Sequence, residues 1–533
     1  MAMTAYVDLS RGTVEMTETP LAAVRTYLGG RGLNMATLLA LLPPDADPLG
    51  PENILVFGNG LLTAYPVPNS GRMNISALSP ETRILGDANM GGFFPTHLRR
   101  SGLDRIVVTG ASAEPVLLYV EGGSVEIRPA SAYWGLDVAE SQAAIERDYG
   151  ANVRSAVIGP AGENMVRFAC VMNARKNAAG RSGMGAVMGS KNLKAVVAAG
   201  DGRPPIHDRA SLLALRKELN GRLHQSKIIE YLGRLGTPML YENSNRLGAI
   251  RTKNGQLNQW SSALDARHIE EHVSKMVSCA GCTVHCRHVN DFGGEGPEYS
   301  TQGLLGANLG IDDPVAVIKL GNLCNDLGLD TSSAGGIIGW AMELWQRGVV
   351  TDETTDGPLQ WGDEDRVREL LVDIAHRRGF GDTLAESSQA VRLGKLPPES
   401  DHYFMGVKGL PQSDPHDVRY IKAFALGVAT SSRGADHLRS RPTLEIMGLP
   451  EHVRDEVYGE PSSAEMTEYE TKEALVVWSE TMFAAIDSAG ICKFVCRGFN
   501  SPHLLGYEEV SRMLMPAFGW SLSPQAIEEV GRR

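Results

Sequence analysis

The chain has 533 residues, a formal net charge of −12, seven cysteines and 59 glycines. That length exceeds a single hydrophobic core and calls for two or three lobes, and the acidic balance argues against nucleic acid, whose phosphates would repel it. No run of about 18 apolar residues marks a membrane span, Met1 to Asp8 lacks the basic and apolar regions of a signal peptide, and the scattered cysteines form no secreted disulfide framework; a cytoplasmic protein is expected.

The N-terminal part reads mainly as strands. Tyr6–Leu9 and Thr13–Met16 flank a Ser10-Arg11-Gly12 turn, and Val116–Val120 and Val125–Arg128 flank Glu121-Gly122-Gly123, which predicts two hairpins. Asn53–Phe57, Arg105–Thr109, Arg154–Ile158 and Lys194–Ala198 are further strands. Helices are predicted over Leu21–Leu41 and over Val138–Tyr149, the second with Asp137 as N-cap. Arg203-Pro204-Pro205 reads as a linker, and beyond it the apolar spacing becomes helical, with Val367, Leu370, Leu371 and Ile374 on one face. Asp312-Asp313-Pro314 starts another helix, because acidic side chains suit its positive end and proline fits its first turn. The expectation is an α+β fold: a β-rich base domain over residues 1–205, then two mainly α-helical domains over 206–410 and 411–533, divided near Leu410-Pro411.

Cys279, Cys282 and Cys286 are close enough in sequence to converge on one metal centre, but a stable thiolate site needs a fourth ligand. The distant Cys492 lies far beyond Cys286 along the chain, which disfavours a zinc ribbon with its local ligands and favours an iron–sulfur cluster inside a large enzyme. Asn325-Asp326-Leu327-Gly328-Leu329-Asp330 and Asp487-Ser488-Ala489-Gly490-Ile491-Cys492 share one pattern. An acid or amide at a helix end followed by glycine can hydrogen-bond a planar amino-heterocycle; the plain alternative is a glycine helix cap. Ala178 to Lys191 is glycine-rich, and with Arg181 and Lys191 it suits phosphate, although neither a P-loop nor a dinucleotide fingerprint is present; a tight packed turn is the alternative.

Gly29-Gly30-Arg31-Gly32-Leu33-Asn34, Asn69-Ser70-Gly71-Arg72, Ala88-Asn89-Met90-Gly91-Gly92, the Ala178 to Lys194 stretch, Gly296-Pro297-Glu298-Tyr299, the paired motifs and Ser432-Arg433-Gly434-Ala435-Asp436-His437-Leu438-Arg439 together resemble the tungsten-containing aldehyde:ferredoxin oxidoreductases, from about Tyr6 to Cys492. The resemblance implies a tungsten or molybdenum ion held by two pterins, one 4Fe-4S cluster, and Mg2+ bridging the pterin phosphates. Cys279, Cys282, Cys286 and Cys492 match the cluster ligands, with Cys496 a rival to Cys492, while Cys170 and Cys324 read as small core residues. Arg72 matches a position between cluster and pterin, and Asn89 and Ala178 match positions whose carbonyls face the Mg2+. Gly91, Asn177, Gly180, Arg181, Arg433 and Arg439 match cofactor contacts; Asn325, Leu329 and Asp330 would hold one pterin, Asp487 and Ile491 the other.

His437 matches the family's active-site histidine, and Glu298 is the second catalytic candidate. The chain departs from the family at Ser300, where aldehyde-oxidising relatives carry another glutamate, and at Lys319-Leu320-Gly321-Asn322, which replaces a Glu-x-x-His dimer metal site. A shortened third domain is also expected. The implied activity is oxidation of an aldehyde to a carboxylic acid, with electrons passing to ferredoxin or an iron–sulfur partner subunit. Two other functions fit the same residues: reduction of an aromatic acyl-CoA thioester with the same cofactor, and a non-catalytic iron–sulfur electron-transfer protein.

Overall fold

Both predicted hairpins form. In the computed structural model, which describes residues 3–442, 449–459, 463, 465–466 and 468–533, twelve strands build the base. They are β1 (Met3–Asp8), β2 (Thr13–Glu18), β3 (Leu55–Asn59), β4 (Met73–Leu78), β5 (Leu85–Met90), β6 (Arg105–Thr109), β7 (Val116–Glu121), β8 (Ser124–Pro129), β9 (Val153–Val157), β10 (Val171–Asn173), β11 (Asn177–Ala179) and β12 (Leu193–Ala199). One sheet runs β2-β1-β6-β3-β4-β5 and the other β11-β10-β9-β12-β7-β8. Each is mixed, with one parallel pair, β1 with β6 and β12 with β7. Apolar side chains of both sheets, among them Phe57, Ile75, Leu118 and Val196, share one buried core.

Strands β4, β5, β10 and β11 were not predicted from sequence. Met-Asn-Ile-Ser-Ala-Leu and Leu-Gly-Asp-Ala-Asn-Met carry residues that isolated strands disfavour, yet β4 and β5 pair along their full length from Met73–Met90 to Leu78–Leu85. Buried Asn74, Ser76 and Asp87 are bonded to polar neighbours, Asn74 to both Asp87 and Asn89 and Ser76 to Asn34.

The single helix expected over Leu21–Leu41 is two, Leu21–Tyr27 and Gly30–Leu41, broken where Leu28 takes φ 60°. The second helix sits against the end of the helix Lys472–Ala489. A Cβ on Gly30 would lie 2.5 Å from the Asp487 carbonyl oxygen, and one on Gly32 would crowd the Tyr27 carbonyl oxygen as well as Ser488 Oγ. Glycine is required there because backbone meets backbone.

The helical part follows its local signals. Asp137 caps Val138–Tyr149 in a reciprocal capping box with Glu140, and Asp313 caps Pro314–Leu327. Val367, Leu370, Leu371 and Ile374 are all buried on the helix Glu364–His376. One helical core gathers side chains from Ala161 to Leu396. A second joins Val24 to Val67, Leu212 to Leu232 and Met482 to Val530, so the last helices return to the N-terminal base. Among the described residues no helix is long and apolar enough to cross a membrane.

Candidate active site

The returning C-terminal segment brings the four expected cysteines together. Cys279, Cys282, Cys286 and Cys492 line one small void with Asn69, Arg72 and Phe494. Arg72 Nη2 donates to Cys492 Sγ at 3.1 Å, Asn69 Nδ2 to Cys282 Sγ at 3.2 Å and the Val284 amide to Cys282 Sγ at 3.4 Å. Burial pushes the Cys282 and Cys286 thiols up, so ionising them in place requires a cation; a metal cluster supplies that charge. Cys496 turns away into the apolar core, where burial pushes its thiol up to about 12. Cys170 and Cys324 are buried as predicted; Cys170 also borders the main cavity.

That void abuts a cavity of about 330 Å³, and Arg72, Cys279, Cys286 and Phe494 form a wall common to both. Arg72, Asn89, Gly91, Asn177, Ala178, Gly180, Arg181, Asn325, Leu329, Asp330, Arg433, Glu298 and His437 all border the cavity. Strands β5 and β11 lie side by side, which brings Asn89 and Ala178 into the same region. Among the described residues, several buried donors in this wall, Asn177 Nδ2 and Arg433 Nε included, have no hydrogen-bond partner. Gly91 leaves no room for a side chain, since a Cβ would lie 3.0 Å from both Cys279 Sγ and Arg72 Cζ. Unsatisfied donors beside arginines, and backbone bare enough for close approach, fit an anionic group rich in hydrogen-bond acceptors.

Three expected cofactor residues are placed differently. Ile491 packs its side chain into the apolar core and does not reach the cavity. Asp487 and Arg439 are buried behind the wall, paired at 3.0 Å; Arg439 also meets Asp87 at 2.9 Å, and Asp487 meets Lys493 and accepts from Asn89 Nδ2 at 3.1 Å. Gly328 and Gly490 are left-handed helix caps; the first motif carries Asn325, Leu329 and Asp330 to the cavity, whereas the second carries Cys492 to the small void.

The glycine-rich stretch is also corrected in part. Lys191 is tied to the carbonyl oxygens of Pro51 and Gly110 at 3.2 and 3.0 Å, away from the cavity. Arg181 is matched to Asp330 at 2.9 Å and to Asp436 at 3.2 Å. Asp330 in turn caps the helix Thr331–Gln346 through the Ser332 and Ser333 amides. Asp330→Asn therefore removes one charge of a buried pair and weakens a cap, at an expected cost of about 3 kcal/mol. Thermal melting checks this; an unchanged midpoint would show that Asp436 alone satisfies Arg181.

His437 is held by its Nδ1, 2.9 Å from Ser413 Oγ and 3.6 Å from Asp414 Oδ2, and its Nε2 makes no bond to the described protein. Burial lowers its pKa, and Asp414 and Asp436 only partly oppose that, so the ring is neutral near pH 7. The Asp414 carboxyl is held well below its usual range: burial would raise it, but His416 and His437 prevail. An ionised Asp414 favours a proton on Nδ1, which leaves the Nε2 lone pair free.

Glu298 pairs with Lys176 at 2.8 Å and accepts from the Thr237 hydroxyl. Burial alone would raise its pKa, but Lys176 outweighs burial and the carboxylate stays ionised. Ser300 borders the cavity in the first turn of the helix Tyr299–Leu305. At the replaced dimer site, Asn322 accepts from the Glu295 amide at 2.9 Å, and Lys319 lies 5.8 Å over the Phe292 ring. Sequence reasoning missed Asn69, Lys176, Thr237, Ser413 and Asp414. Ser413-Asp414-Pro415-His416 carried a weak signal, a turn-forming aspartate with a histidine two residues on.

Comparison with known proteins matches residues 4–200 to the family model for the aldehyde ferredoxin oxidoreductase N-terminal domain, and residues 214–533 to that for its domains 2 and 3. The chain belongs to the aldehyde ferredoxin oxidoreductase family. It is 36% identical over 539 aligned positions to the tungsten-containing aldehyde ferredoxin oxidoreductase of Thermococcus kodakarensis, covering 99% of this chain and 86% of that one. It is 35% identical to its Pyrococcus furiosus counterpart with the same coverage. The WOR-like subunit of an aliphatic sulfonate oxidoreductase from Pyrococcus furiosus is 29% identical, with 99% and 83% covered. Among solved structures, the active-site complex BamBC of benzoyl coenzyme A reductase superposes with a TM-score of 0.86 at 24% identity, over 100% of this chain and 87% of that one, and so shares the fold. As a member of the aldehyde ferredoxin oxidoreductase family the chain is an oxidoreductase, and the relatives' tungsten directs attention to the cavity beside the four thiols.

Proposed function

We propose that this chain is a tungstopterin iron–sulfur enzyme that oxidises an aldehyde to a carboxylic acid and passes the electrons to ferredoxin or an iron–sulfur partner subunit. The observation that carries the reading is the common wall: Arg72, Cys279 and Cys286 face both the four-thiol void and the cavity that holds His437. In this reading Cys279, Cys282, Cys286 and Cys492 hold one 4Fe-4S cluster. The cavity wall from Arg72 to Arg433 would hold the bis-pterin, and Asn89 and Ala178 would offer carbonyl oxygens to its Mg2+. Residues 206–410 and 411–533 are read as two helical domains over the base, in a cytoplasmic enzyme.

The reaction is R–CHO plus water giving R–COOH, two protons and two electrons. When bound, the metal supplies the two-electron oxidation and the cluster relays electrons one at a time. The chain's own part is positional and acid–base. His437 Nε2 accepts the proton of the water that adds to the carbonyl carbon, while Ser413 and Asp414 fix the ring. Glu298, bound to Lys176, orients that side of the cavity as a fixed charge and does not exchange protons near neutral pH. Arg72 donates to Cys492 Sγ and so stabilises negative charge on the cluster.

The test is elemental analysis of anaerobically purified protein, followed by viologen reduction with a panel of aldehydes. The expected content is about four iron and about one tungsten or molybdenum per chain, with turnover. Iron without either heavy metal would leave only an electron-transfer protein. One observation favours a second substrate: Ser300 stands where a carboxylate base was expected. Fully metallated protein that reduces an aromatic acyl-CoA thioester and turns over no aldehyde would establish it.

A further inference from the structure

Five arginines border the main cavity, and four of them are matched. Arg181 meets Asp330 and Asp436, Arg433 meets Asp436 at 2.7 Å, Arg287 meets Glu295 at 3.4 Å, and Arg72 donates to a cysteine sulfur. Arg441 is the exception. It is 7% exposed, and among the described residues its guanidinium makes no hydrogen bond or ion pair. It lies 4.8 Å over the ring of Phe499, which also borders the cavity. Its charged and polar neighbours are Asp414, already engaged by His416 and His437, and the phenols of Tyr299 and Tyr458, which burial keeps protonated. Arg433 and Arg439 instead sit among Asp87, Asp436 and Asp487, on the side assigned to the cofactor. A buried cation without a counterion is costly to maintain, and an anion brought by a ligand removes that cost.

We propose that Arg441 anchors a carboxylate borne by the substrate at a distance from its reacting carbonyl, so that the preferred substrate is an aldehyde acid. Phe499 and Phe494, whose rings are 5.0 Å apart, supply the apolar wall for the carbon chain between the two groups. This rests on the aldehyde-oxidation reading above.

The experiment compares kcat/KM of holoenzyme for matched pairs: butanal against succinic semialdehyde, hexanal against adipic semialdehyde, and benzaldehyde against para-formylbenzoate. Wild-type enzyme is expected to favour the acid of at least one pair by roughly 10- to 100-fold, mainly through KM. Arg441→Met is expected to lose the preference and Arg441→Lys to keep part of it. Each ratio is taken on one preparation, so incomplete cofactor loading cancels. Equal kcat/KM within every wild-type pair, or a ratio that survives Arg441→Met, overturns the anchor. Loss of tungsten or molybdenum from Arg441→Met also overturns it, by assigning the arginine to the cofactor. If no aldehyde is turned over, the oxidation reading fails separately, and calorimetry decides the anchor. Tighter binding of succinate or adipate than of butanoate or hexanoate, lost in Arg441→Met, supports it. Equal affinities overturn it, as expected if Arg441 only receives the product carboxylate.

Discussion

Cys492→Ser is expected to abolish the proposed cluster, and Cys496→Ala to leave it intact. The two thiols are four residues apart, yet only Cys492 faces the void shared with Cys279, Cys282 and Cys286, and only Cys492 receives the Arg72 guanidinium. Cys496 is enclosed among apolar side chains, where burial outweighs the nearby Lys493 and disfavours its thiolate. Iron content and the low-temperature electron paramagnetic resonance signal of the reduced protein are the measurements. An intact signal in Cys492→Ser, or its loss in Cys496→Ala, would reassign the fourth ligand. On the proposed reading electrons leave through the cluster, so Cys492→Ser should also lose viologen reduction almost completely.

His437→Gln is the second large effect. Turnover is expected to fall by about 10²- to 10⁴-fold with iron and tungsten content retained, since the change removes a general base without touching the thiols. The sign of the pH effect follows from the burial of the ring. Burial disfavours the imidazolium and places the pKa below the ordinary value of about 6.5. The neutral, proton-accepting form therefore persists at neutral pH and is lost as pH falls, so the wild-type acid limb should lie below about pH 6.5 and be absent from the variant's residual activity. Stability moves the same way: the unfolded chain binds this proton more readily, so His437 protonation destabilises the fold on the acid side. An acid limb above pH 6.5, or a variant with wild-type turnover, would remove His437 from the mechanism.

What was legible in the sequence was local. Two hairpins, the Asp137 and Asp313 caps and the buried stripe from Val367 to Ile374 each depend on residues within a turn or two of one another. The four cysteines were also legible, although placing Cys492 beside the others rested on a family resemblance rather than on spacing. Strands β4 and β5 were hidden because Asn74, Asp87 and Asn89 have low strand propensity. Their bonds, such as Asn74 Nδ2 to Asp87 Oδ2 at 2.6 Å, form only after the sheet has assembled. The roles of Lys191, Glu298 and Arg441 were equally hidden, since a lone cation or carboxylate in a sequence does not disclose its partner. Lys191 found two carbonyl oxygens and Glu298 found Lys176, whereas Arg441 makes no ion pair among the described residues.

The route by which Cys492 reaches the other three thiols constrains when the centre can mature. Cys279, Cys282 and Cys286 leave the ribosome together, but Cys492 emerges long afterwards, on a helix end that must dock against Gly30, Gly32 and Gly60 of the base. Until that docking, the chain presents three thiols and an open side, and the adjoining cavity is still missing the wall that Phe494 and Phe499 provide. On the proposed reading, completing a cluster at the four thiols and closing the adjoining cavity are therefore one event, in which the segment carrying Cys492, Phe494 and Phe499 acts as the seal.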